Sequence, residues 1–172
     1  MKGIKSAVNA FLLTVVSILL NLAGKWIALH WQLPLWMDCC GTVIAAYILG
    51  PVGGAAAGLA ANVIYGVFNG TSQIYGLTSV AVGLIVGFAA RKKKLETLFS
   101  TMAVCSLTTL VSTAISTPLN VYFYKGMTGN RWGDGVIELL MEEHIPPVLS
   151  YIAGELYMDF LDKVLTDRKS VV

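Results

Sequence analysis

Apolar residues run through most of the chain in long stretches, and proline, glycine and charge break them at a few short places. The first stretch covers residues 7–29, after Lys2 and Lys5. Asn21-Leu22-Ala23 loosely resembles a signal-peptidase site, but the stretch is long for a signal peptide and more apolar runs follow it, so a retained helix is expected. Further helices are predicted over 35–49, closed by Gly50-Pro51, and over 52–68, ending at the polar turn that begins with Asn69-Gly70. Three more are predicted over 74–90, 95–117 and 145–161. The fifth is expected to stop at Pro118, and the sixth to begin at Ile145-Pro146-Pro147, where proline suits a first helical turn.

These six segments predict an all-α integral membrane protein, a single domain over 1–172. Composition agrees. The chain is 56% apolar and 13% charged, against about a quarter charged in an ordinary soluble domain. Its mean hydropathy is +0.71. Six spans of about 20 residues use about 120, which leaves no room for a soluble catalytic domain.

Charge placement gives the orientation. With six alternating spans, Lys2, Lys5, the run Arg91-Lys92-Lys93-Lys94, Lys163, Arg168 and Lys169 fall on one side, nine of the twelve basic residues. The positive-inside rule then puts both termini in the cytoplasm of a multi-pass protein of a prokaryotic plasma membrane. The basic run is read as this topology signal and not as a nucleic-acid-binding face.

Several chemistries are missing. Gly50-Pro51-Val52-Gly53-Gly54 has no following Lys-Ser or Lys-Thr to hold phosphates, so ATP hydrolysis is not expected of this chain. No HExxH or CxxC occurs, and Cys39, Cys40 and Cys105 read as small membrane residues. No enzyme, cofactor or metal is expected.

The polar residues inside the spans carry more information. Gly54, Gly58, Asn62, Tyr65 and Asn69 share one helical face, small at one end and polar at the other. Asn62 fits either an interhelical clamp or a pocket wall. Ser106, Thr109, Thr113, Ser116 and Asn120 repeat the pattern in the fifth span, again as packing or as pocket lining. Asp38 and Glu155 lie at membrane depth, where an ionisable residue is costly and needs a reason. A Glu155–Lys25 pair would supply one for Glu155. Asp159 is expected to meet a cation or partner, and Asp162 to be solvated at the interface. The connection over 119–144 is long and aromatic, with a short amphipathic helix expected over 136–143, and reads as a structured lid or binding loop. Glu142, Glu143 and His144 fit either interface solvation or ligand binding.

The block Leu33-Pro34-Leu35-Trp36-Met37-Asp38-Cys39-Cys40-Gly41-Thr42, with Leu49-Gly50-Pro51-Val52-Gly53-Gly54 and Gly58-Leu59-Ala60-Ala61-Asn62 after it, resembles the substrate-binding S component of energy-coupling factor (ECF) transporters. The resemblance implies a six-helix subunit of an ABC-type importer. Such a subunit binds a small water-soluble vitamin or related micronutrient outside and releases it inward. It would work with a transmembrane coupling protein and two cytoplasmic ATPases. Family members touch the coupling protein through an A-x-x-x-A motif in the first span; here Gly3, Ala7 and Ser6, Ala10 give the spacing without two alanines. By position, the family's site corresponds to Trp36, Asp38, Asn69, Gln73, Tyr75, Asn120, Tyr122, Trp132, Glu142, His144 and Tyr151. Acidic candidates (Asp38, Glu142, Glu143) outnumber basic ones on that side, which favours a thiamine- or pyridoxine-like cationic or neutral ring over an anionic vitamin. The alternative is a small membrane scaffold or sensor subunit that binds a protein partner and no solute.

Overall fold

The computed structural model describes the backbone of residues 2–70 and 72–167, with side chains over 7–70 and 73–164. It is all-helical: α1 (Lys2–His30), α2 (Cys40–Leu49), α3 (Pro51–Asn69), a 3-10 turn (Ser72–Tyr75), α4 (Gly76–Arg91), α5 (Leu98–Tyr124), α6 (Arg131–Glu142) and α7 (Pro147–Asp167). Four segments are long and apolar enough to cross a membrane: Ala7–His30, Pro51–Asn69, Gln73–Arg91 and Leu98–Tyr124. α2 is too short, and α7 carries Glu155, Asp159, Asp162 and Lys163.

Large apolar side chains cover the outside of the bundle, and many polar side chains are buried inside it beside a small apolar core that includes Val43, Val82, Val86 and Val104. Along α1, Ser17, Asn21 and Lys25 recur every fourth residue on the buried face, while Phe11, Leu12 and Leu19 face outward. α5 does the same. Thr108, Ser112, Ser116 and Asn120 are buried, whereas Phe99 is 86% exposed and Leu110 also faces out. A water-soluble bundle would invert this pattern; apolar surroundings favour it.

The expected second span, 35–49, is helical only over its last ten residues. After α1 the chain turns at Gln32 (φ 50°), runs back beside α1 without helical structure, and turns again at Met37 (φ 53°). The approach is close. A Cβ on Gly24 would lie 2.2 Å from the Met37 carbonyl oxygen, and one on Gly41 would lie 1.8 Å from that of Ser17. Non-helical backbone buried inside the bundle needs partners for its polar groups. Asn21 Oδ1 accepts the N–H groups of Gly41 (2.7 Å) and Thr42 (3.3 Å) at the start of α2, and Asn21 Nδ2 donates to Thr42 Oγ1 (2.8 Å). Asp162 Oδ1 of α7 accepts the Met37 N–H (2.7 Å).

The α2–α3 turn requires Gly50, whose φ is 89° and whose missing side chain leaves room for the Arg91 guanidinium. Small residues let α3 meet its neighbours: Gly54 lies on Ala46 of α2, and Gly58 lies between Thr42 and Ser79. α5 does not end at Pro118 but continues to Tyr124. Proline within a span is tolerated where neighbouring helices restore what the backbone loses. α6 starts at Arg131, five residues before its predicted beginning. Asn130 Oδ1 accepts the Trp132 N–H (2.9 Å), and Asp134 Oδ1 accepts from the Thr128 N–H (2.6 Å) and hydroxyl (2.8 Å). Ile137 of α6 then buries completely beside Gly154 of α7.

Candidate functional site

A cavity of about 230 Å³ lies where the folded-back segment meets α1, α3, α4, α5 and α7. Its aromatic walls are Trp36, Tyr65, Tyr75 and Tyr124, and its charged groups are Lys25, Asp38, Glu155, Asp159 and Lys163. Thr128 and Gly129 line it from the α5–α6 connection.

Three polar groupings build the lining. In the first, Lys25 Nζ lies 3.5 Å from Asp38 Oδ2 and over the rings of Tyr65 (4.9 Å to the centroid) and Tyr75 (5.9 Å). Attraction of the ammonium to the ring faces adds to the ion pair. In the second, the Tyr75 hydroxyl donates to Asn120 Oδ1, and Asn120 Nδ2 donates to Glu155 Oε2 (3.0 Å), which fixes the orientation of the amide. In the third, Lys163 Nζ bridges Asp159 Oδ1 (3.3 Å) and Asp162 Oδ2 (3.0 Å). Asp159 also accepts from Thr113 (3.2 Å), and Asp162 from the Cys39 thiol (3.0 Å). Removing one partner from the Lys25 or Lys163 pairings would leave an uncompensated buried charge, which is costly.

Two expectations are corrected. Lys25 pairs with Asp38 and not with Glu155, because the fold-back of 31–39 brings Asp38 alongside α1. Asp162 is not solvated: it is 1% exposed and holds both the Met37 N–H and Lys163. Lys163, counted above among basic residues flanking the spans, is likewise buried.

Of the residues assigned to a binding site by position, Trp36, Asp38, Asn69, Tyr75 and Asn120 line the cavity. The others do not. Tyr122 is 82% exposed: α5 is still helical there, and two residues past Asn120 the helix has turned it away from the cavity. Gln73 lies at the surface, where its Nε2 donates to the Gly70 carbonyl (3.1 Å). Glu142 and His144 are exposed at the end of α6, and Tyr151 packs its ring on Gly126. Trp132 is half-exposed and donates its Nε1–H to the Gln32 carbonyl (2.7 Å), while Asn130 Nδ2 donates to the Leu33 carbonyl (3.0 Å). These two bonds fasten the α5–α6 connection over the folded-back segment. Of the coupling-contact residues, Ala7 is exposed and Ala10 partly exposed on α1, while the side chains of Gly3 and Ser6 lie outside the described residues.

Cys39, Thr78, Ser79, Val82, Tyr124, Thr128 and Lys163 line the cavity without having been singled out for it. The four-residue spacing of Ser17, Asn21 and Lys25, and that of Glu155, Asp159 and Lys163, were the signals available. Each marks a polar stripe on an otherwise apolar helix. Asp38, Cys39 and Asp162 also bring ligand-type atoms within 4.8 Å of one another. The Lys163 ammonium already sits on Asp162 there and supplies the positive charge that such a cluster needs.

No family model, no curated protein and no solved structure matches this chain.

Proposed function

We propose that this chain is the solute-binding subunit of a membrane importer, an ECF-type S component for a small water-soluble vitamin or related micronutrient. The observation that carries the reading is the cavity, which is framed by aromatic rings and charges from α1, α3, α5, α7, the 3-10 turn and the folded-back segment and has the mixed apolar and polar lining of a ligand site. The L-P-L-W-x-D and L-G-P-x-x-G segments support the family. The first forms the folded-back wall that contributes Trp36 and Asp38.

In this reading the chain crosses the membrane six times with both termini in the cytoplasm, and α2 with the folded-back segment makes one crossing. The run Arg91-Lys92-Lys93-Lys94 between α4 and α5, with Lys2, Lys5, Arg168 and Lys169, still supplies the basic side after Lys163 is removed from the tally. The cavity then opens toward the outer face beneath the bonds from Trp132 and Asn130 to residues 32 and 33, which form its cover. Solute enters when the cover parts. Inward release is driven by a coupling protein and two ATPases, consistent with the missing P-loop.

A thermal-shift titration of the purified chain in lipid nanodiscs against water-soluble vitamins tests this. At least one vitamin is expected to raise the melting temperature of the wild type and not that of Thr78→Trp, whose indole fills the cavity. The absence of any shift in the wild type would favour the scaffold reading.

A further inference from the structure

We infer that the solute is an organic cation and that its positive group sits against Glu155. The inference rests on the solute-binding reading and names the chemistry of that site. Two ammonium groups in the cavity lining, Lys25 and Lys163, stand among four carboxylates: Asp38, Glu155 and Asp159 in the lining, and Asp162 behind it. Lys25 is held by Asp38, and Lys163 by Asp159 and Asp162. Glu155 is 4% exposed, lines the cavity, and has no ion-pair partner among the described residues. Asn120 Nδ2 donates to one of its oxygens (3.0 Å), which orients the carboxylate without neutralising it. A buried carboxyl group without a counter-ion is costly to ionise, and a bound cation offsets that cost.

The walls favour an organic cation over a bare metal ion. The Lys25 ammonium occupies the Tyr65 and Tyr75 rings, and Trp36 and Tyr124 add two further aromatic walls, of a kind that attracts positive charge. The volume, about 230 Å³, exceeds what a single inorganic ion fills. Of the buried side-chain oxygens without a hydrogen-bond partner among the described residues, two lie at or beside the cavity. Thr78 Oγ1 belongs to a residue lining the cavity, and Asn62 Oδ1 to one lining a small adjoining space shared with Lys25, Asp38 and Tyr65. Both can accept from an N–H group of the ligand or from the O–H of a water beside it. Asp38 and Glu142, which first suggested a cationic preference, do not carry it: Asp38 is paired, and Glu142 lies outside the cavity.

The test is equilibrium binding to the full chain in nanodiscs. The probes are thiamine and pyridoxamine as cations, pyridoxine and riboflavin as neutral rings, biotin as an anion, and sodium chloride against potassium chloride. A cationic vitamin is expected to bind tightest. Glu155→Gln, which keeps the shape and removes the charge, should weaken that binding by about 10- to 100-fold while leaving the unliganded melting temperature unchanged or higher. Tightest binding of a neutral or anionic vitamin would overturn the inference and leave the solute-binding reading standing. Unaltered cation affinity in Glu155→Gln would overturn it as well, and so would stabilisation by sodium alone. Binding of no probe would overturn both. If Glu155→Gln does not fold, the wild-type order of affinities decides between the same outcomes.

Discussion

Asn21 and Asp162 aim their side chains at the backbone of residues 37–42, not at the cavity. They take the place of the hydrogen bonds that a continuous helix would have made there. Asn21→Leu leaves the Gly41 N–H buried without its acceptor and should cost about 1–3 kcal/mol. Asp162→Ala leaves Lys163 with one partner in place of two and frees the Met37 N–H, for a larger loss of about 3–5 kcal/mol. Unfolding in mixed micelles measures both, and a loss below that of Asn21→Leu for Asp162→Ala would contradict the structural role given to that carboxylate. Neither role was legible beforehand. An asparagine in an apolar run shows its cost but not its partner, and Asp162 near the end of a helix looks like an interfacial residue. Asp38 and Glu155 did stand out, because a charge at membrane depth needs a reason wherever its partner lies.

Helix identity followed from hydropathy, as did the end of α1 and both ends of α3 and α4 to within two residues; the starts of α2 and α6 and the end of α5 did not. The second segment looked continuous because residues 35–39 are apolar apart from Asp38; the side chains that hold this non-helical stretch, Asn21 and Asp162, come from other elements. Pro118 misled in the opposite direction, since α5 passes through it and thereby carries Asn120 and Tyr124 to the cavity and Tyr122 away from it. The small-residue face of α3 was legible as a packing face, and its partner α4 answers it with small residues of its own. A Cβ on Gly83 would lie 2.4 Å from the Ala55 amide nitrogen, a backbone atom that cannot step aside. Gly83→Ala should therefore destabilise by about 1–3 kcal/mol. Gly135, exposed on α6 with nothing near its missing side chain, provides the contrast. Gly135→Ala should stabilise by up to about 1 kcal/mol through helix propensity. Equal effects at the two positions would contradict the close α3–α4 contact.

At the scale of the whole molecule, polar side chains converge inward and large apolar ones face out, which suits a bilayer. The proposed orientation predicts that, with the native cysteines replaced by serine, Met127→Cys reacts with a membrane-impermeant maleimide in intact cells and Lys93→Cys reacts only after lysis. The reverse labelling would invert the topology. Composition and apolar runs made the membrane class legible, but the cavity depends on a fold-back that brings Asp38 beside Lys25 and on a helix turn that selects Asn120 over Tyr122. Both are consequences of three-dimensional packing that spacing along the chain does not contain. The central claim, that this cavity holds a small solute, is tested most directly by native mass spectrometry of the gently extracted wild type and Thr78→Trp. The account predicts one bound species of small-molecule mass on the wild type and none on the variant. A wild-type spectrum that stays free of ligand after incubation with the vitamin panel would contradict it.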